Sequence, residues 1–121
     1  MASTARLLSY ACHFEDTYRD DNWDRLVPYF SQGATYEDAM GKASGRDAVI
    51  QYMRKSVNTV DRTFDERRLE PTGELRCGSD WVEFDFVVDY RRSDGNDLHL
   101  NGVHRAEFEG DLISRLEVRI V

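Results

Sequence analysis

Two residues of this chain have the type and placement for proton chemistry. Asp38 closes the run Phe30-Ser-Gln-Gly-Ala-Thr-Tyr-Glu-Asp38. Strand side chains alternate, so Ala34, Tyr36 and Asp38 share one face of a short strand from Ala34 to Asp38. A carboxylate held against apolar surface is placed to accept and return a proton. His104 lies on the apolar face of the run Leu98 to Phe108, between Gly102 and Ala106, which leave room beside it. Each residue also has an ordinary role. Asp38 can be a turn aspartate that accepts backbone N–H bonds ahead of Gly41, and His104 a hydrogen-bonded core histidine. Facing each other across a pocket, they would form an acid/base dyad titrating near neutral pH.

The elements that must position them are legible from period. Residues 4 to 20 read as a helix with Leu7, Leu8, Ala11, Phe14 and Tyr18 inward, Arg6, Glu15, Asp16 and Arg19 outward, and Ser3 or Thr4 as cap. Asn22 caps a second, short helix from Trp23 that Pro28 limits. After Asp38 a loop leads to a third helix from Arg46 to Thr59, with Ser44 and Asp47 as a capping box and Val49, Ile50, Met53, Val57 and Val60 as its buried stripe. From about residue 62 the period changes to two. A strand over 64–70 ends at Pro71-Thr-Gly73. Trp81 to Arg91 places Val82, Phe84, Phe86, Val88 and Tyr90 on one face, Ser93-Asp-Gly-Asn96 turns, and Leu98 to Phe108 returns. Gly110-Asp111 turns again, and Leu112, Leu116, Val118 and Ile120 close the sheet. Helices followed by an antiparallel meander make an α+β fold. Strands of about eleven residues exceed the usual length, so the sheet should curl around the helices.

Composition bounds the partners. The 121 residues form one domain, 1–121, and 40% hydrophobic content suffices for one core. A net charge of −7 argues against nucleic acid and anionic membrane surfaces. No apolar run approaches the length of a membrane span, and the first residues lack a signal-peptide core, so a cytoplasmic location is the expectation. Cys12 and Cys77 read as reduced thiols. No metal-ligand spacing, P-loop, dinucleotide fingerprint or nucleophile elbow is present in the sequence, and neither a metal nor a cofactor is expected.

Several segments together carry a family likeness: Asn22-Trp-Asp24, Phe30-x-x-x-Ala-Thr-Tyr-Glu-Asp38, Gly45-Arg-Asp-Ala-Val49, and Phe108-x-Gly110 with Ile113-x-x-Leu116. Across nearly its whole length the chain resembles the nuclear-transport-factor-2-like superfamily, which includes ketosteroid isomerases, SnoaL-type polyketide cyclases, scytalone dehydratase and limonene epoxide hydrolase. The resemblance implies a cone: a curved, mainly antiparallel sheet wrapped around the N-terminal helices, with a deep pocket between. The ketosteroid isomerases look closest around the first strand, where their catalytic aspartate maps onto Asp38. Their oxyanion-hole tyrosine and acid map onto Phe14 and His104, so the base is kept in kind and the oxyanion hole is not.

The facing apolar stripes predict a pocket lined by Phe14, Tyr18, Tyr36, Asp38, Tyr52, Met53, Phe86 and His104, with Tyr18 or Tyr52 the first choices for a phenol that meets a ligand. Two readings of function follow. One is a cofactor-independent isomerase, cyclase or dehydratase acting on a small apolar carbonyl compound, with Asp38 moving the proton and His104 assisting. The other is a non-catalytic ligand-binding or dimerisation module. The polar sheet face mixes Glu83, Asp85, Asp89, Arg105, Arg115, Glu117 and Arg119 with Trp81, Val87, Val103 and Ile113. That mosaic suits a contact between two copies, as the resemblance also implies, and a homodimer is expected.

Overall fold

The computed structural model describes residues 2–121. Helix α1 (Ala2–Asp20) leads through a 3-10 turn (Trp23–Tyr29) into β1 (Phe30–Asp38), which pairs with β2 (Gly41–Ser44). Helix α2 (Arg46–Thr59) and a single 3-10 turn (Asp61–Thr63) follow, then β3 (Glu66–Cys77), β4 (Trp81–Arg91), β5 (Leu98–Glu109) and β6 (Leu112–Ile120). The strands form one curved, open sheet in the order β2-β1-β6-β5-β4-β3. Only the β1–β6 pair is parallel; every other neighbour is antiparallel. The expected helices-then-meander architecture is the one found.

Alternation assigns one face of the sheet to the helices. Val82, Ala106, Phe108, Ile113 and Leu116 are buried there against Leu7 and Tyr10 of α1, Trp23, Leu26 and Tyr29 of the first 3-10 turn, and Val49, Ile50, Met53 and Val57 of α2, and Phe86 and Val88 are buried on the same face. Register then defines rows across this concave face. Tyr36 lies beside Leu116, Leu116 beside Ala106, and Ala106 beside Val82. The next row holds Asp38, Val118, His104 and Phe84, with His104 paired to both Val118 and Phe84. Asp38 joins it one residue beyond the Glu37–Glu117 pair. In the first row Leu116, Ala106 and Val82 are buried, whereas all four residues of the second are partly exposed.

Several local expectations need correction. The segment after Asp38 is a short hairpin strand, β2, rather than a loop. Helix α1 starts at Ala2, so Ser3 and Thr4 lie within its first turn and its cap falls outside the described residues. The N-cap of α2 is Gly45, at φ 95°, so Ser44 stays in β2 and no capping box forms. Val60 lies past the helix and is exposed. Strand β3 runs through Pro71 and Gly73, because an edge strand has one side on which proline's missing N–H is not needed; a register shift between Thr72 and Arg76 absorbs the break. Ile113 belongs to the core, fully buried, while Leu112 is exposed. A bulge beside Phe108 shifts the phase of β6 by one residue.

The convex face carries a ladder of ion pairs. Glu83 is approached by Arg76 at 3.0 Å, Arg105 at 3.3 Å and Arg119 at 3.5 Å, and Arg115 reaches Glu117 at 2.7 Å. The Arg105 guanidinium also lies 4.5 Å over the Trp81 ring.

Candidate functional site

Asp38 stands where β1 turns into β2. Its Oδ1 accepts the Met40 N–H at 2.9 Å and the Gly41 N–H at 3.1 Å, the bonding of a turn aspartate. Two phenols add to this. The Tyr52 hydroxyl donates to Oδ1 at 2.8 Å, and the Tyr36 hydroxyl to Oδ2 at 3.0 Å. The carboxylate is thus held by four donors, three of them on Oδ1. Oδ2 carries one bond and has a lone-pair direction left for a further proton donor.

Each phenol arrives by a separate route. Tyr36 is two residues before Asp38 on the same face of β1. Tyr52 comes from the first half of α2, and its ring lies 5.4 Å from that of Tyr36. Gly41 makes room for it: a Cβ there would stand 3.1 Å from the Tyr52 hydroxyl. Burial and the neighbouring Asp38 carboxylate push the Tyr52 phenol up to about 12 and raise the Tyr36 phenol further, so both remain donors at any physiological pH.

His104 shares the concave face with Asp38 but does not touch it. One strand, β6, separates them, which places their backbones about 10 Å apart at two inter-strand spacings. The imidazole stacks on Phe84 at 5.1 Å and 15°. Its Nδ1 is buried and has no hydrogen-bond partner. Burial pushes the imidazole down to about 4, so His104 is neutral at pH 7 and the dyad titrating near neutrality is not formed. A neutral imidazole still presents one N–H donor.

The other expected lining residues divide. Phe14, Tyr18 and Tyr36 are partly exposed on the inner side. Met53 and Phe86 are 4% and 3% exposed; they are packed floor rather than accessible wall, Met53 taking the Tyr10 hydroxyl on its sulfur. Surface hollows of about 390 Å³ lie elsewhere, one over Glu66, Arg68, Glu70, Asp89 and Arg91, another over Ala5, Arg6, Ser9 and Asp111. Phe84 was legible as an inward residue of the alternating run, but its role under His104 depends on register, and nothing in the sequence marks Gly41. Among the described residues no group of three or more His, Cys, Asp or Glu is placed to hold a metal ion, and no helix is long and apolar enough to cross a membrane.

Residues 12–116 match the SnoaL-like domain family. No curated protein matches the sequence. Among solved structures, an NTF2-like protein of unknown function from Exiguobacterium sp. 255-15 is 20% identical, with 96% of this chain and 98% of that one covered at a TM-score of 0.74. TerC co-crystallized with polyporic acid is 18% identical, with 100% and 92% covered at a TM-score of 0.73. A protein of ketosteroid isomerase-like fold from Catenulispora acidiphila, in complex with trimethylamine, is 15% identical, with 90% and 82% covered at a TM-score of 0.67. At these identities the likeness is one of fold.

Proposed function

The chain belongs to the SnoaL-like domain family, and on that premise we propose that it is a cofactor-independent acid/base catalyst acting on a small apolar carbonyl compound. One observation carries the reading. Asp38, with an open direction on Oδ2, and His104, with an unpartnered Nδ1, share a partly exposed row of the concave face. A carbonyl compound seated between them would meet both needs. Asp38 Oδ2 takes a proton from the carbon next to the carbonyl, the electron pair moves onto the carbonyl oxygen, and an N–H on His104 Nδ1 bonds the developing enolate. Asp38 then returns the proton to the same or a conjugated carbon. Tyr36 and Tyr52 hold the carboxylate in place throughout. Phe14, Tyr18 and Phe84 supply the apolar wall, with Met53 and Phe86 packed behind it.

Two further features support a small ligand over a macromolecular one. The chain carries a net charge of −7, which opposes nucleic acid and anionic membranes. Structural neighbours hold small molecules, polyporic acid in one and trimethylamine in another. In the same proposal the convex face, with its ion-pair ladder around Glu83 and the Trp81 ring, pairs two copies into a homodimer, and the protein works in the cytoplasm.

A second reading is favoured by the two backbone N–H bonds to Asp38, which by themselves describe a structural turn. On that reading the domain binds or dimerises without catalysis. Exchange of α-hydrogens for deuterium in a panel of enolisable ketones separates the two: a catalyst accelerates it through Asp38, a binding module does not.

A further inference from the structure

A second polar site lies inside the same face, at the β3–β4 edge. Arg67 pairs with Tyr90 in register and points inward, its side chain only 9% exposed. One of its terminal nitrogens donates to both oxygens of Glu15 on α1, at 2.9 and 3.0 Å. The guanidinium lies 4.8 Å from the Tyr18 ring centroid and 5.9 Å from that of Phe14. The Tyr90 phenol sits against both Arg67 and Asp61, yet the buried Nε has no well-formed hydrogen bond, and Asp61 Oδ2, at 3.7 Å, is beyond hydrogen-bond reach. A buried N–H of a charged group without an acceptor is costly, and native structures rarely leave one.

We infer that Arg67 Nε is a second anchor for the ligand, taking an uncharged oxygen acceptor such as a carbonyl at the end remote from Asp38. This rests on the reading of the Asp38–His104 row as the ligand site. The charge state of the group follows from its surroundings. Glu15 and Asp61 already balance the Arg67 guanidinium and the neighbouring Arg62, so no uncompensated positive charge is left for a further carboxylate and a neutral oxygen is accepted. Burial raises the Asp61 carboxyl above its ordinary range, with Arg67 opposing, which adds to the cost of any further negative charge. The length of the ligand follows from register. Phe84 and Tyr90 are six residues apart on β4, about 20 Å of extended strand, so only an elongated molecule touches both ends. Phe14 and Tyr18, half-buried, wall the Arg67 end.

The test uses two neutral ketones of equal length: p-terphenyl with an acetyl group on each outer para carbon, long enough with the reach of the two end side chains to bridge the span, and the analogue in which one acetyl is ethyl. Their affinities for the full chain are compared by calorimetry, alongside the Nε–H resonance of Arg67 by NMR. The diketone should bind about tenfold tighter, the low end for a hydrogen bond to a charged group, and it alone should move the Arg67 resonance. Arg67→Lys, which keeps the charge and loses the Nε–H, should bring the two ketones to equal affinity; the resonance serves if that variant does not fold. Equal affinity for the unmodified chain with a stationary resonance would mean that internal water satisfies Nε, and would overturn the second anchor alone. Failure of both ketones to bind would overturn the ligand site as well.

Discussion

The Tyr52 hydroxyl donates to Asp38 Oδ1 at 2.8 Å across fourteen residues of sequence, and the bare Cα of Gly41 is what admits it. The bond ties α2 to the β1–β2 turn and fixes the carboxylate from a direction the strand itself cannot supply.

Tyr52→Phe should therefore cost on the order of 1 kcal/mol in stability, the loss of a partly exposed hydrogen bond to a charged acceptor. Gly41→Ala should cost a similar amount in the unmodified chain, because its Cβ displaces the hydroxyl. The two effects should not add: with the phenol gone, the alanine methyl meets only the ring carbons at 3.5 Å or more. Urea denaturation of both single variants and the double variant checks this.

This arrangement also marks where the sequence stops being informative. Alternation in β4 and β5 is clean, so Phe84, Phe86 and His104 were placed on the correct face without any structure. Asp38 stands out as a candidate because it ends a strand. Strand β2 was missed because four residues, Gly41-Lys-Ala-Ser44, are too few to show a period. The extent of β3 was missed because Pro71 and Gly73 read as a stop, although an edge strand tolerates both. Partners at long sequence separation, such as Tyr52 with Asp38 or Arg67 with Glu15, are set by how helices cross the sheet. No local pattern encodes that crossing.

The phase shift in β6 gives a sharp contrast between neighbours. Ile113 is fully buried and Leu112 is 37% exposed. Ile113→Ala should cost about 2–5 kcal/mol through the cavity it leaves, whereas Leu112→Ser should stay near 0.5 kcal/mol. Thermal melts of the two variants measure the difference.

His104 makes stability depend on pH. Folded His104 stays neutral until about 4, while in the unfolded chain it protonates near 6.5. Between those values the unfolded state binds more protons, so this residue's contribution to stability rises with pH across that window and is constant above it. His104→Gln should flatten the slope of melting temperature against pH between about 4 and 6.5. An unchanged slope would mean that His104 is solvated in the folded protein.

The convex face should hold two copies together. Light scattering at micromolar concentration should give twice the mass of 14.1 kDa, and Glu83→Lys should shift it toward one copy, because Glu83 anchors Arg76, Arg105 and Arg119 on that face. A monomeric mass for the unmodified protein would remove the dimer.

The most direct measurement is the rate of α-deuterium exchange in an enolisable ketone that binds the chain, followed by NMR for the unmodified protein and for Asp38→Asn. The asparagine keeps the shape and can still accept hydrogen bonds from Met40, Gly41 and Tyr52 through its carbonyl, while no longer able to take a proton. Removal of a general base costs about 10²- to 10⁴-fold, so exchange should slow at least a hundredfold. His104→Ala should slow it by tenfold or more, through loss of an oxyanion donor. Exchange in Asp38→Asn as fast as in the unmodified chain would contradict the role of Asp38, and exchange with the unmodified chain no faster than in buffer would leave a binding module in place of a catalyst.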